Sequence, residues 1–222
     1  GDRPWRVIVL VDDVELRALR DQQPDGVVGS LERGDVEGGV TRIADGVSIL
    51  GYKDGENWDY LHINDTNFAG AKSNLFVEHT VKQDYTVTGD GAITKTITID
   101  YKNPAKPSDC NLESGGLCLN GLLRNWVRIY VPKGATLQEL VGSEVEAVTS
   151  EDLGKTVFEA FFTMRPQSSS KLVFKYSLPG TYSSPYPYLI QKQPGKDVIT
   201  HEILFNGKPH TVELAGDTRL DL

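Results

Sequence analysis

The chain holds 222 residues, 39% of them hydrophobic, with a formal net charge of -8. That length and apolar content support a buried core and exclude a disordered tail. The acidic balance disfavours a nucleic-acid backbone or an anionic membrane as partner.

No apolar run approaches the roughly 20 residues that span a bilayer; the longest, residues 7–11, is strand length. The chain opens at Gly1-Asp2-Arg3-Pro4-Trp5 with no charged-then-apolar secretion segment. This reads as a piece cut from a longer precursor, so no membrane insertion is expected here and an anchor is expected upstream.

Residues 5–11 form a nearly continuous apolar run, read as a buried strand. Asp12 and Asp13 then complement the N-terminal dipole of a short amphipathic helix carrying Val14, Leu16, Ala18 and Leu19. Pro24-Asp25-Gly26 stops it. Residues 29–57 hold seven glycines among scattered charges and read as a long loop or hairpin. Residues 58–63 read as a strand that Asn64-Asp-Thr-Asn67 ends.

From about residue 74 the pattern alternates with period two. Leu75, Val77, His79 and Val81 share one face, and Gly89-Asp90-Gly91 makes a hairpin turn. Ile93, Ile97, Ile99 and Tyr101 then face one way, with Thr94, Thr96, Thr98 and Asp100 opposite. Further strands are predicted at 126–131, near 136–141, 144–149 and 155–164, and at 172–178, where Leu172, Phe174, Tyr176 and Leu178 form an inward row. The last strands fall near 186–192, 197–205 and 209–215, with Asn206-Gly207 as a two-residue hairpin between the final two.

Many short strands and little helix predict a mainly β protein: an antiparallel, Ig-like β-sandwich preceded by a small α/β segment. The boundary is placed near residue 70, with the α/β segment and its Gly-rich loop at 1–70 and the sandwich at 71–222. Cys110 and Cys118 are the only cysteines, and Ser114-Gly115-Gly116 between them lets the ends meet. A short-loop disulfide is the expected pairing, and it points to an oxidising, extracellular compartment.

The order Asn67-x-x-Gly-Ala-Lys-Ser-Asn74, an alternating strand, and Ile97-Thr-Ile-Asp-Tyr-Lys-Asn103-Pro resembles the C-terminal half of the DUF4012 family. Asn125-Trp-Val-Arg-Ile-Tyr-Val-Pro-Lys-Gly134, Leu153-Gly-Lys-Thr-Val-Phe158 and Gln191-Lys-Gln-Pro-Gly195 extend the resemblance, as do residues 7–26. It implies a bacterial, exported protein anchored to the cell surface through an N-terminal membrane helix. It implies a compartment and not an activity. The Gly-rich stretch 29–57 departs from the family's pattern.

Among candidate sites, Lys72-Ser73-Asn74 is the sharpest. A Ser–Lys nucleophile pair would need the two side chains on one face, and neighbours in a strand point to opposite faces. A structural role is preferred, with Gly70 permitting an unusual turn and Asn74 bonding local backbone; Lys72 and Asn74 remain candidates for ligand contact. Tyr182, Tyr186 and Tyr188, stiffened by Pro185 and Pro187, could present rings to a sugar or a protein, or pack an edge strand. Asp54, Glu56, Asp59 and Asp65 are the densest oxygen-donor cluster, a calcium candidate without EF-hand spacing, set against a solvated acidic turn.

His62, His79, His201 and His210 show no metal-binding spacing, and no nucleotide-binding or nucleophile-elbow motif is present. The chain therefore implies no cofactor and no catalysis of its own. The expected function is a cell-surface interaction module for an envelope glycan or a surface protein. The alternatives are part of an envelope enzyme whose active site lies in a missing N-terminal half, and a structural spacer.

Overall fold

The structure is a computed structural model that describes residues 58–222, apart from 112 and 114. The strand, helix and Gly-rich loop expected before residue 58 lie outside the described residues.

Among the described residues, twelve strands form two six-stranded sheets packed face to face. They are β1 (Asp59–Asn67), β2 (Glu78–Val87), β3 (Ile93–Asn103), β4 (Leu123–Val131), β5 (Thr136–Val141), β6 (Val148–Asp152), β7 (Lys155–Met164), β8 (Ser168–Ser177), β9 (Pro187–Gln191), β10 (Ile199–Phe205), β11 (Lys208–Leu214) and β12 (Thr218–Asp221). One sheet runs β12-β9-β1-β4-β7-β6 and the other β11-β10-β2-β3-β8-β5. The mainly β sandwich expected from alternation is the architecture found.

The sheets are mixed, whereas all-antiparallel pairing was expected. β1 pairs in parallel with β9, and β2 with β10. A parallel pair needs a long crossover, and here the crossover is the body of the sandwich itself. After six intervening strands the chain returns beside its first two, one strand to each sheet. β1 lies before the boundary expected near residue 70, yet it is an inner strand of the first sheet.

Period-two alternation builds the core. Leu61, Val127, Ile129, Phe158 and Phe162 from the first sheet meet Ile97, Ile99, Leu172, Phe174 and Tyr176 from the second. Tyr101 and Phe162 touch across the layers with ring centroids 4.8 Å apart, and Phe158 and Tyr176 with centroids 5.4 Å apart. The inward row Leu172, Phe174, Tyr176 and Leu178 is buried as the pattern required, with Lys171 and Lys175 exposed. Asn206 and Gly207 both take positive φ, closing the β10–β11 hairpin.

Three local expectations need correction. β1 does not end at Asn64: it stays paired to β4 as far as Asn67, because its polar residues find partners in neighbouring segments. Alternation does not begin at Leu75, which sits 69% exposed in a 3-10 turn (Ser73–Phe76) ahead of β2. The strand expected at 144–149 is displaced to β6, because Gly142 and Ser143 turn the chain first.

Candidate functional site

Where β1 leaves the sheet, Asn67 shapes the loop over residues 68–74. Its Oδ1 accepts from the Ala69 N–H at 2.9 Å, and its Nδ2 donates to the Ala71 carbonyl at 2.8 Å and to Asn74 Oδ1 at 3.3 Å. One side chain thus templates the loop, as Asn does in local turns. Gly70, expected to make that turn, does not adopt a left-handed φ, and a Cβ there would meet nothing within 4 Å.

Ser73 is buried. Its Oγ donates to the Gly121 carbonyl at 2.8 Å and accepts from the Gly121 N–H at 3.0 Å. These two hydrogen bonds to backbone, with Lys72 exposed beside them, make Ser73 a structural tie and not a nucleophile.

The segment thus held to the 67–74 loop contains the disulfide. Cys110 and Cys118 are bonded, with S–S 2.06 Å. A Cβ on Gly121 would come within 3.2 Å of Cys118 Sγ and 3.3 Å of Ala71 Cβ, so the disulfide loop sits directly against the loop of the site.

A second loop faces the first. β9 stops at Gln191, and Gln193 continues its pairing with side-chain atoms: the Asp65 N–H donates to Oε1 at 2.9 Å, and Nε2 donates to the Asp65 carbonyl at 3.0 Å. Gly195 turns the chain with a positive φ, and Lys196 reaches back to Asp65 Oδ2 at 3.3 Å.

Between the two loops runs an open groove of about 570 Å³, within the size range of small-molecule sites. Its lining includes Asp65, Asn67, Lys72, Asn74, His79 and Lys196. The rims carry two exposed apolar side chains, Leu75 and Val198. The Asn67–Asn74 and Gln191–Gly195 blocks, far apart in sequence, both belong to it.

The polar floor is preorganised. Asp65 Oδ1 accepts from Tyr101 OH at 2.9 Å and from Asn125 Nδ2 at 2.8 Å. Burial pushes the Asp65 carboxyl up, but Lys196, His79 and these two donors together more than offset it and hold the group below its ordinary value. His79 beside it is lowered, chiefly by burial, and its Nδ1 has no hydrogen-bond partner among the described residues. Neither Lys72 nor Asn74 Nδ2 is engaged by a described partner, so a lysine ammonium and an amide donor stand ready at the groove.

The other sequence candidates separate. Tyr186 and Tyr188 are 3% and 0% exposed, and Tyr182, half-buried, packs on Tyr186 and Phe205. The three rings belong to the core at one end of the sandwich and offer no ridge to a ligand. Their apolar bulk sets their side: β9 is an inner strand, so Tyr188 must face the opposite sheet.

Asp54 and Glu56 lie outside the described residues. Asp59 and Asp65 are six residues apart on β1, about 20 Å along a strand, and each has its own lysine partner. They cannot share a cation. Among the described residues no three His, Cys, Asp or Glu side chains converge as metal ligands.

No family model and no curated protein matches the chain. Among solved structures, a candidate nutrient-binding protein of Legionella pneumophila is similar at 10% identity, with a TM-score of 0.35; the likeness covers 67% of this chain and 56% of that one. No helix among the described residues is long and apolar enough to cross a membrane.

Proposed function

We propose that this chain is an extracellular cell-surface interaction module that holds an envelope glycan in the groove between the 67–77 and 193–199 loops. The observation that carries this reading is the pairing of a rigid polar floor with uncommitted donors. Asp65, Tyr101, Asn125 and Gln193 fix one another by part-buried hydrogen bonds, while the Lys72 ammonium and Asn74 Nδ2, both at the groove, are engaged by no described partner. A sugar offers hydroxyls to such groups and an apolar ring face to Leu75 and Val198. Preordered donors bind with little further loss of entropy.

The disulfide against the loop supports an oxidising compartment, where such a bond persists. The resemblance to DUF4012 supports the cell-surface location. No nucleophilic role is assigned to Ser73, because its hydroxyl is occupied by the Gly121 backbone.

The test is an array of purified bacterial envelope polysaccharides and peptidoglycan fragments, probed with the chain and with a Lys72→Ala/Asn74→Ala double variant. Binding of the parent chain should weaken at least tenfold in the variant, equal to about 1.4 kcal/mol. Equal binding by both would remove the groove from the reading. Binding to no glycan at all would remove the ligand class.

A further inference from the structure

A second polar cluster is sealed inside the sandwich, away from the groove. Lys95 on β3 and Asp59 on β1 come from opposite sheets, and both side chains are 0% exposed. Lys95 Nζ lies 2.6 Å from Asp59 Oδ2, and the rings of Tyr85 and Tyr188 cover the ammonium with centroids 4.6 and 4.0 Å away.

The two carboxylate oxygens are held differently. Oδ2 also accepts from the Tyr85 hydroxyl. Oδ1 accepts from the Tyr60 backbone N–H at 2.8 Å. Such a pair is a costly way to hold two sheets together, since both ions give up their hydration. A neutral product made from the same atoms would avoid that cost.

We propose that Lys95 and Asp59 condense to an amide, an isopeptide bond that ties the two sheets covalently. The reaction needs only the atoms present. One proton passes from the ammonium to Oδ2 along their hydrogen bond, leaving a neutral amine and a carboxylic acid. The nitrogen lone pair attacks Cγ, and the C=O electrons move onto Oδ1, where the Tyr60 N–H stabilises the developing charge as an oxyanion-hole donor does. A second proton passes from nitrogen to Oδ2. The C–Oδ2 bond breaks as the C=O re-forms at Oδ1, and Oδ2 departs as water. One C–N bond forms, one C–O bond breaks, and no oxidant or other reactant is consumed.

The surroundings favour each step. Burial lowers the Lys95 ammonium to about 8, against the opposing pull of Asp59, which brings the neutral amine within reach near neutral pH. Burial, and then the Asp59 charge, raise the Tyr85 phenol well above its ordinary value. It therefore stays protonated and keeps donating to the departing oxygen. Fixed contact between amine and carboxyl replaces a bimolecular encounter, which is worth a large effective concentration.

The experiment is intact-mass spectrometry of the folded full chain after disulfide reduction, followed by peptide mapping. The expected mass is that of the sequence less one water, with a branched peptide joining the segments that hold residues 59 and 95. Lys95→Arg and Asp59→Ala should each restore the full sequence mass of their own variant, with no water lost. Tyr85→Phe keeps the ring and removes the hydroxyl, so a slower, incomplete loss of water is expected. The parent protein at its full sequence mass would overturn the proposal, whether or not the variants fold. So would a water loss that maps elsewhere, as to a succinimide at Asp90-Gly91. Neither result bears on glycan binding in the groove.

Discussion

His62 and His201 are each almost fully buried, in places where an imidazolium would have to shed its water. Burial lowers His62 to about 4, partly offset by the Gln191 carbonyl, and lowers His201 to about 3. Gln83 Nε2 donates to His201 Nδ1 at 2.8 Å, an arrangement that requires the neutral ring. Both folded values lie below the unfolded one, so the unfolded chain binds more protons between them. The stability these residues carry is therefore complete above about pH 6.5 and is lost as pH falls through the window towards 3. For His62 alone the full loss is about 3 kcal/mol. Chemical denaturation at pH 7 and pH 4.5 should show a clearly lower midpoint at the acid value, and His201→Gln should shrink the difference. An unchanged midpoint would mean that these rings are hydrated. Individual residues of this kind were only partly legible in the sequence. Lys95 falls on the Ile93, Ile97, Ile99 face by simple parity, and a lysine there demands a buried carboxylate. Asp59 is that carboxylate, but in sequence it stands among acidic neighbours and looks like part of a solvated turn.

Strands and hairpins were the most readable elements, because alternation and turn chemistry are local. β3 follows its pattern residue by residue, β8 follows its own from Leu172 but starts earlier, at Ser168, and Asn206-Gly207 closes the hairpin its sequence requires. Elements fail where a tertiary partner overrides the local signal, as in the polar end of β1, which reads as a terminator until Asn125 and Gln193 supply its bonds. Glycine positions show the same division. Gly142 and Gly154 both take a left-handed φ, near 90° and 72°. A Cβ on Gly154 would meet nothing within 4 Å, whereas one on Gly142 would lie 1.9 Å from the Lys171 carbonyl oxygen. Gly154→Ala should therefore cost only the backbone strain, about 1–2 kcal/mol. Gly142→Ala adds a steric clash between backbone segments that must move β5 off β8, and about 3 kcal/mol or more is expected. Thermal melting of the two variants checks the order; equal losses would show that the β5 corner is soft enough to absorb the methyl.

At the scale of the whole molecule, the groove is a product of topology. Its two loops are separated by more than a hundred residues of chain, and they meet because β9 and β10 return in parallel beside β1 and β2. The Lys72-Ser73-Asn74 block could propose Lys72 and Asn74 as contacts, yet it could not place Gln193, Lys196 and His79 opposite them, since nothing local encodes a parallel return. The apolar tyrosines drew attention in the sequence for the same reason in reverse: ring content is visible there, whereas the side of the sheet they occupy depends on which strands flank β9. The central claim, that this assembled groove is where the molecule binds, is tested most directly by a two-dimensional amide NMR titration with soluble peptidoglycan fragments and wall polysaccharide. The account predicts saturable shifts confined to residues 65–79 and 193–199, with the edge strands β6 and β11 silent. Shifts centred on another face, or none at either loop with a ligand that binds, would contradict it.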